Sequence, residues 1–469
     1  MTRIEEKVDV GPILADGTPF AELVDVEARE VSMRVLHDPE IFEIELDRLF
    51  GRAWVCVAHA SEVPEAGNFV TRTIGADSVI VGRQSDGRIL VMLNVCTHRG
   101  MQVCRADAGT TRRFRCPYHG WVFGQDGHLV GAPFENEMYS DGLEKEVRGL
   151  QQARVETFGG LVFANWSPTA PAFLEYLGDS KYYFEMMLDR TDDGLEVVGA
   201  PQRFIIPANW KTAAEQFAGD GYHAVTLHQS LQQLGSAKAI ANTASTDVRR
   251  TVNQIGVDVS TPEGHGFRCF DKRFAFPHVL TDDLLSRPAI DRLRLLPPAG
   301  LTPEMVSQME RHLDAGQLEV LAAVPPSVGE FFPSSVFMSV YGRTAEGVGA
   351  LALHTFNPVS ADAFEMWHWT FVEKGAPEEF KRKTRVSTNF ALGMSGVIEQ
   401  DDAESWPAMQ RSARGLMGRR HTLKYNSLLG VNKPEWWPGG GFVYAGYTKD
   451  DNQWNWWLRY REFMMGHLW

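Results

Sequence analysis

Cysteine is scarce in this chain, with five in 469 residues. So few, spread so widely, exclude a disulfide framework. Long apolar runs are lacking as well; none approaches the ~18 residues that a membrane span needs. Positive charge is outweighed, with 46 Lys and Arg against 60 Asp and Glu and a net charge of −14. That balance argues against nucleic acid or an anionic membrane as a general partner. The opening MTRIEEKVDVGPILADG carries acids and no apolar segment, so no secretory signal is expected. Internal repeats and low-complexity tracts are lacking too. These absences predict a soluble cytoplasmic protein, and 44% hydrophobic with 23% charged residues is a globular composition. The length exceeds one ordinary core and predicts two or three domains.

What the chain does have is concentrated between Asn94 and Trp121, NVCTHRGMQVCRADAGTTRRFRCPYHGW. Cys96 and His98 are separated by one residue, Cys116 and His119 by two, and seventeen residues lie between the pairs. Two thiolates and two imidazoles on two short loops suit a [2Fe–2S] cluster with one iron on two Cys and the other on two His, the Rieske arrangement. The competing reading is a structural zinc ion, since Cys2His2 is also a zinc ligand set. Zinc fingers, however, pair Cys with Cys and His with His. Gly100 and Gly120-Trp121 suit tight turns that bring backbone N–H groups near sulfide. Cys56, Cys104 and Cys269 carry no motif and read as small buried hydrophobes.

Periodicity predicts a helix over Asp38–Phe50, with Phe42, Leu46, Leu49 and Phe50 on one face. Short strands follow at Phe69–Thr73, Ser78–Arg83 and Arg88–Asn94, then over Val122–Leu129 with an Asp126-Gly127 turn, and at Gly160–Trp166. Residues 50–165 thus read as a small all-β domain carrying the Cys/His loops, inserted into a larger domain of residues 1–49 and 166–469. In the larger part, Thr302-Pro303-Glu304 suggests a helix start. Val336–Tyr341, Ala350–Asn357 and Glu365–Val372 suggest an antiparallel sheet, and Pro377–Leu392 a helix stopped near Gly393. Leu234–Phe267 shows no period and reads as a lid or long surface loop. In the C-terminal WNWWLRYREFMMGHLW, residues Trp456, Tyr460, Phe463 and His467 share a helical face expected to pack on the chain's own core or a subunit.

A second cluster lies in NWKTAAEQFAGDGYHAVTLH, Asn209–His228. Asp220 and His223 fall near one helical face, whereas His223 and His228 would be splayed by about 140° on a regular helix. Gly219 and Gly221 weaken the helix, and a π-like turn or local break would bring both imidazoles onto one ion. Two His and a carboxylate make the facial triad of non-haem iron. GVIEQDDAESW offers Asp401 and Asp402 for the carboxylate.

CTHRG and CPYHGW resemble the Rieske motif of the large (α) subunits of Rieske non-haem iron aromatic-ring-hydroxylating dioxygenases, such as the naphthalene and biphenyl enzymes. With DGYH and EQDD, the resemblance runs over nearly the whole chain. It implies an α+β fold, a small all-β Rieske domain inserted in a helix-on-antiparallel-sheet catalytic domain. It implies Cys96, His98, Cys116 and His119 on the cluster, and His223, His228 and Asp402 on a mononuclear Fe(II). Asp401 is then a helix acid or a group behind the ligands. The same resemblance gives Asp220 a catalytic place as a bridge, accepting hydrogen bonds from His223 and from His119 of the partner subunit. Gln216, Asn in naphthalene-type enzymes, reads as a polar group near iron. Phe217, Ala224, Leu392, Met394 and Ile398 read as pocket wall, and being apolar they suit an aromatic ring.

The implied activity is addition of both atoms of O2 to an aromatic substrate, giving a cis-dihydrodiol, with electrons from NADH through a flavin reductase and a ferredoxin. A small β subunit and an α3 or α3β3 assembly are implied too. The competing outcomes are a monooxygenase or demethylase of the same superfamily, or a dioxygenase of an aromatic carboxylate such as phthalate, with Arg249 or Arg250 meeting the acid. A pure electron carrier would need only about 110 residues and no triad. Arg99, Arg105, Arg112, Arg113 and Arg115 against one acid, Asp107, form a basic surround that suits an acidic ferredoxin.

Overall fold

The computed structural model of the chain describes residues 11–140, 142–228, 256–275, 279–340 and 348–467. It divides into two compact units, Phe50–Phe173 and Met1–Leu49 with Leu174–Trp469. The expected class is found: an all-β unit interrupts, in sequence, a unit of helices on an antiparallel sheet.

In the small unit, Ile89–Leu93, Asp77–Arg83, Asn68–Ile74 and Ala108–Thr110 pair antiparallel in that order. Leu129–Gly131, Val122–Gly124 and Arg113–Arg115 form a second sheet, and Arg154–Phe158, Leu161–Asn165 and Val55–His59 a third. Leu161–Asn165 is buried along its whole length, which is why GLVFANW lacks alternation. Phe69, Ile80, Met92, Phe114, Trp121, Phe123 and Leu129 make a core that also holds Cys96 and Cys116. The sulfurs therefore start from packed, positioned backbone. The unit continues to Phe173 because that ring packs on Phe163 and Trp54, at 4.4 and 5.5 Å between centroids.

The larger unit is built on nine strands: β1 (Leu195–Val197), β2 (Gln202–Ile206), β3 (Gly256–Ser260), β4 (Gly266–Phe270), β5 (Pro326–Phe331), β6 (Ser335–Val340), β7 (Ala350–Ser360), β8 (Ala363–Glu373) and β9 (Phe442–Tyr444). Their order is β1-β8-β7-β6-β5-β4-β3-β9, with β2 also on β8, all antiparallel. β3 and β4 correct the reading of Leu234–Phe267 as a loop or lid; residues 234–255 of that stretch, with Arg249 and Arg250, lie outside the described residues. The pattern failed there because these strands bury polar residues, Asp258 facing Arg268 across the pair.

Helix α1 (Pro39–Glu45) is capped by Asp38, whose carboxylate accepts the Glu40 N–H at 2.8 Å, and runs on through a π turn, Leu46–Phe50. The other helices used below are α2 (Lys211–Gly219), α3 (Gly221–Thr226), α4 (Glu378–Leu392), α5 (Glu399–Arg414) and α6 (Asp451–Met465). α2 is buried on every side, packed on β4, β5, β6 and α6. Its first residue, Lys211, pairs with Glu45 of α1, both fully buried, and Trp210 Nε1 donates to the same carboxylate at 2.9 Å. Breaking such a pair leaves an uncompensated buried charge, at a cost of about 3–5 kcal/mol. α4 lies on β7 and β8 and stops at Gly393 as expected.

Thr302-Pro303-Glu304 leads into a helical stretch, a 3-10 turn, Met305–Gln308, that runs straight into a short α-helix, Met309–His312. The longer helix, Ala315–Ala323, is started by a capping box between Asp314 and Gln317. On α6, Trp456, Tyr460 and Phe463 are fully buried, whereas His467 lies past the left-handed Gly466 and is exposed, off that face. Among the described residues no helix is long and apolar enough to cross a membrane.

Candidate metal centres

The two Cys/His loops are built alike. Cys96 N–H donates to the Met101 carbonyl at 2.8 Å and Gly100 N–H to that of Cys96 at 2.9 Å. In the second loop Cys116 N–H donates to Trp121 at 2.8 Å and Gly120 N–H to Cys116 at 3.0 Å. Gly100 and Gly120 take the left-handed conformation, φ +73° and +72°, which a side chain would resist. The rings of His98 and His119 lie 4.6 Å apart, and Trp121 stacks on His98 at 4.8 Å.

His98 Nδ1 is buried with no hydrogen-bond partner. A buried polar atom of that kind calls for an occupant, and a metal bond supplies one. Burial pushes the Cys96 thiol up to about 11, and the Cys116 sulfur beside it adds to the rise; a coordinating metal takes such a thiol as thiolate. One tetrahedral zinc would draw four donors to within about 4 Å of one another. Among the described residues, the His/Cys/Asp/Glu group that closes to single-ion spacing is a different one. Two thiols and two imidazoles carried on twin loops are the donor set of a [2Fe–2S] cluster with one iron on each pair.

That different group is His223, His228 and Asp402, whose ligand atoms lie within 4.8 Å of one another. The local break resolves the 140° problem. α2 ends at Gly219, Asp220 takes φ −74° and ψ 86°, and α3 restarts at Gly221. Close packing demands glycine on both sides of the break: a Cβ on Gly221 would fall 1.7 Å from the Tyr447 carbonyl oxygen, and one on Gly219 2.3 Å from Asn452 Cβ. Asp220 caps α3, its Oδ1 accepting the His223 N–H at 2.9 Å. The rings of His223 and His228 then meet edge to face, 5.2 Å between centroids.

Each imidazole turns one nitrogen to Asp402 and the other to a different Asp. His223 Nε2 and His228 Nε2 lie 3.8 and 3.6 Å from the Asp402 carboxylate. His223 Nδ1 is 3.3 Å from Asp220, near enough for charge but off-line for a hydrogen bond, and His228 Nδ1 is 3.3 Å from Asp401. An anion behind a ligating ring fixes its tautomer and strengthens it as a ligand. Burial lowers the His228 pKa against the raising effect of Asp402, so the ring favours the neutral form a metal needs. For Asp220 burial acts upward, but the nearby His223 ring and the hydrogen bond from the His223 backbone N–H outweigh it and hold the carboxyl low.

Two regions of this chain match known families: a Rieske [2Fe-2S] domain over residues 53–154, and the catalytic domain of ring-hydroxylating alpha subunits over residues 173–427. The chain belongs to the ring-hydroxylating Rieske dioxygenase α subunits. Biphenyl 2,3-dioxygenase subunit alpha of Rhodococcus jostii (strain RHA1) is 35% identical, over 91% of this chain and 88% of its own length. N,N-dimethyl phenylurea N-demethylase subunit alpha of Sphingobium sp. (strain YBL2) is 34% identical, over 90% and 89%. A crystal structure of naphthalene 1,2-dioxygenase from Rhodococcus sp. superposes with a TM-score of 0.83 at 34% identity, covering 95% of this chain and 97% of that one. This α subunit is accordingly an oxygenase, with a Rieske [2Fe–2S] cluster and a mononuclear iron as cofactors and O2 as co-substrate.

The residues read as pocket wall in this α subunit fall close to the triad in part. Gln216 Nε2 donates to Asp402 at 2.8 Å. Phe217 is buried and stacks on Phe356 at 5.4 Å, with His354 and Trp406 at 6.0 and 6.4 Å. Leu392, at the end of α4, is buried; Ala224, Met394 and Ile398 are half-buried. Phe356, Trp406 and the buried pair His354–Glu399 escaped the sequence reading. Trp406 carried a signal, one helical turn beyond Asp402; His354, inside an apolar strand, carried none.

Proposed function

We propose that the chain is the catalytic α subunit of a multicomponent dioxygenase that adds both atoms of O2 to adjacent carbons of an aromatic ring, giving a cis-dihydrodiol. What carries the reading is the convergence of His223, His228 and Asp402 on one ion position, in a chain that also holds a Rieske unit. Cys96, His98, Cys116 and His119 hold the cluster, and the triad holds the iron. When bound, that iron supplies O2 activation at the coordination positions a facial triad leaves open. Asp401 orients His228, and Asp220 orients His223. Asp220 also accepts from His119 of the partner subunit, so that one carboxylate links the two centres. Phe217, Leu392, Ala224, Met394 and Ile398 give a dry apolar wall, and Gln216 a polar edge. Electrons arrive from NADH through a reductase and a ferredoxin. The protein works in the cytoplasm as an α3 or α3β3 assembly; the relatives' designation as subunit alpha supports a β partner.

The test is product analysis over a panel of arenes and aromatic acids, with labelled O2 and a surrogate reductase and ferredoxin. Two labelled oxygens in a cis-diol are expected. Asp220→Asn should keep both metals and lose turnover; an unchanged rate would discard the bridge. A second reading, a one-oxygen demethylase, is favoured by the N-demethylase relative at 34% identity, and loss of an N-methyl group with one labelled oxygen would select it.

A further inference from the structure

We propose that Arg268 is a positioning residue for the Asp220–His223 pair, clamping the peptide at which α2 breaks into α3. This rests on the bridging role given to Asp220 above. Arg268 comes from the middle of β4 and is 3% exposed. Its Nη1 donates to the backbone carbonyl of Asp220 at 2.7 Å.

A helix that breaks leaves carbonyls without their intrahelical donors, and each needs another. Side chains from other elements supply donors near this one. Asn452 Nδ2 donates to the carbonyls of Ala218, at 3.3 Å, and Phe267, at 3.0 Å. The backbones are close enough that a Cβ on Gly266 would fall 2.2 Å from the Ala218 oxygen. Arg268 supplies a donor at the break itself. Its guanidinium also stands 5.9 Å from the centre of the Phe217 ring, so one side chain meets both the helix break and an aromatic of α2.

The clamp has a direct consequence for the site. Asp220 Oδ1 meets the His223 N–H, and Oδ2 lies beside His223 Nδ1, only while residue 220 stays out of the helical conformation. Letting it relax into a continuous helix would swing the carboxylate off both. The buried neighbourhood favours an arginine here. Asp258 faces Arg268 across the β3–β4 pair, where the guanidinium charge acts against the burial that raises the Asp258 carboxyl. The guanidinium reaches the Asp220 carbonyl while keeping its charge opposite Asp258, and the compact lysine ammonium does not reproduce that planar fork.

The test uses the full chain with Arg268→Lys, Asp220→Asn and the double variant. In iron-free protein, amide exchange over Gly219–Thr226 should speed up in Arg268→Lys by about tenfold or more. In loaded protein, oxidation of the pre-reduced cluster in a single turnover should slow by about tenfold or more, the range seen for outer-shell partners. The double variant should be no slower than Asp220→Asn alone, because both changes remove one interaction. Unchanged exchange, or rate losses that multiply, would overturn the clamp. A normal rate in Asp220→Asn would overturn the bridge instead, and the exchange result would still decide on Arg268. Should Arg268→Lys fail to fold, Arg268→Met combined with Asp258→Asn removes both charges together and is read in the same way.

Discussion

The Trp406 indole N–H donates to the Gln216 side-chain oxygen at 2.7 Å, and this fixes which end of the amide faces the triad. Indole is a donor only, so the oxygen must point to Trp406 and the NH2 to Asp402 and His223. An amide NH2 has no lone pair to give a metal. Gln216 is therefore a clamp on the ligand carboxylate.

Gln216→Leu keeps the volume and removes that clamp. It strands the Trp406 N–H, a cost of about 1–3 kcal/mol, and frees Asp402. Fe(II) affinity at the triad should fall roughly 10–100-fold while the Rieske absorbance stays. Chelator competition and urea unfolding read the two effects; unchanged affinity would make Gln216 a bystander.

Asp401 and Asp402 should separate cleanly. Asp402 faces both His Nε2 atoms and is buried; Asp401 is half-buried and sits behind His228. Asp402→Ala should lose the mononuclear iron outright, whereas Asp401→Ala should weaken it by about 10–100-fold. Iron-to-sulfide ratios give the answer. Equal losses from the two variants would reverse the assignment.

How much of this was legible in the sequence follows from what each residue is asked to do. The Rieske domain was legible because each Cys/His loop sets a Cys, a His and a left-handed glycine at fixed spacings. The break at Asp220 was legible as a need, since His223 and His228 could not otherwise meet, but the packing that demands its flanking glycines comes from Tyr447 and Asn452, more than 200 residues away. Strands β3 and β4 were not legible, because Asp258 and Arg268 pair inside the protein and erase the alternation that marks a strand. Spacing along the chain cannot reveal such pairs; only the sheet register does, as with His354 opposite His368.

Gly221→Ala tests the break directly. Its Cβ would fall 1.7 Å from a backbone oxygen, which cannot swing aside as a side-chain tip can. The expected result is a protein with a normal Rieske spectrum and little mononuclear iron. Full occupancy of the triad would show that the break does not depend on this approach.

Arg105, Arg112 and Arg113 are exposed and lie between the two Cys/His pairs in sequence, in a chain of net charge −14. If an acidic ferredoxin docks there, its rate of cluster reduction should fall steeply with salt, as steered association does. Replacing the three by Gln should flatten that dependence and leave single-turnover chemistry alone. A salt slope equal to the wild type would place the docking surface elsewhere.

Glu215 should make stability fall with rising pH. Its carboxyl is buried, accepts from Gln453 Nε2 at 2.6 Å and lies near Asp220. Burial, with the Asp220 charge added, pushes its pKa up to about 8 from an ordinary 4.5. Between those two values the folded chain holds a proton that the unfolded chain has released. The stabilisation is thus complete below about pH 4.5 and is lost as pH rises through about 8, with a limiting slope of about 1.4 kcal/mol per pH unit. Glu215→Gln mimics the neutral acid and cannot ionise, so its unfolding free energy should gain on the wild type as pH goes from about 6 to about 8.5. Asp220→Asn removes one cause of the rise and should move the wild-type decline to lower pH. Parallel stability curves for wild type and Glu215→Gln would mean that Glu215 is already ionised in the folded protein.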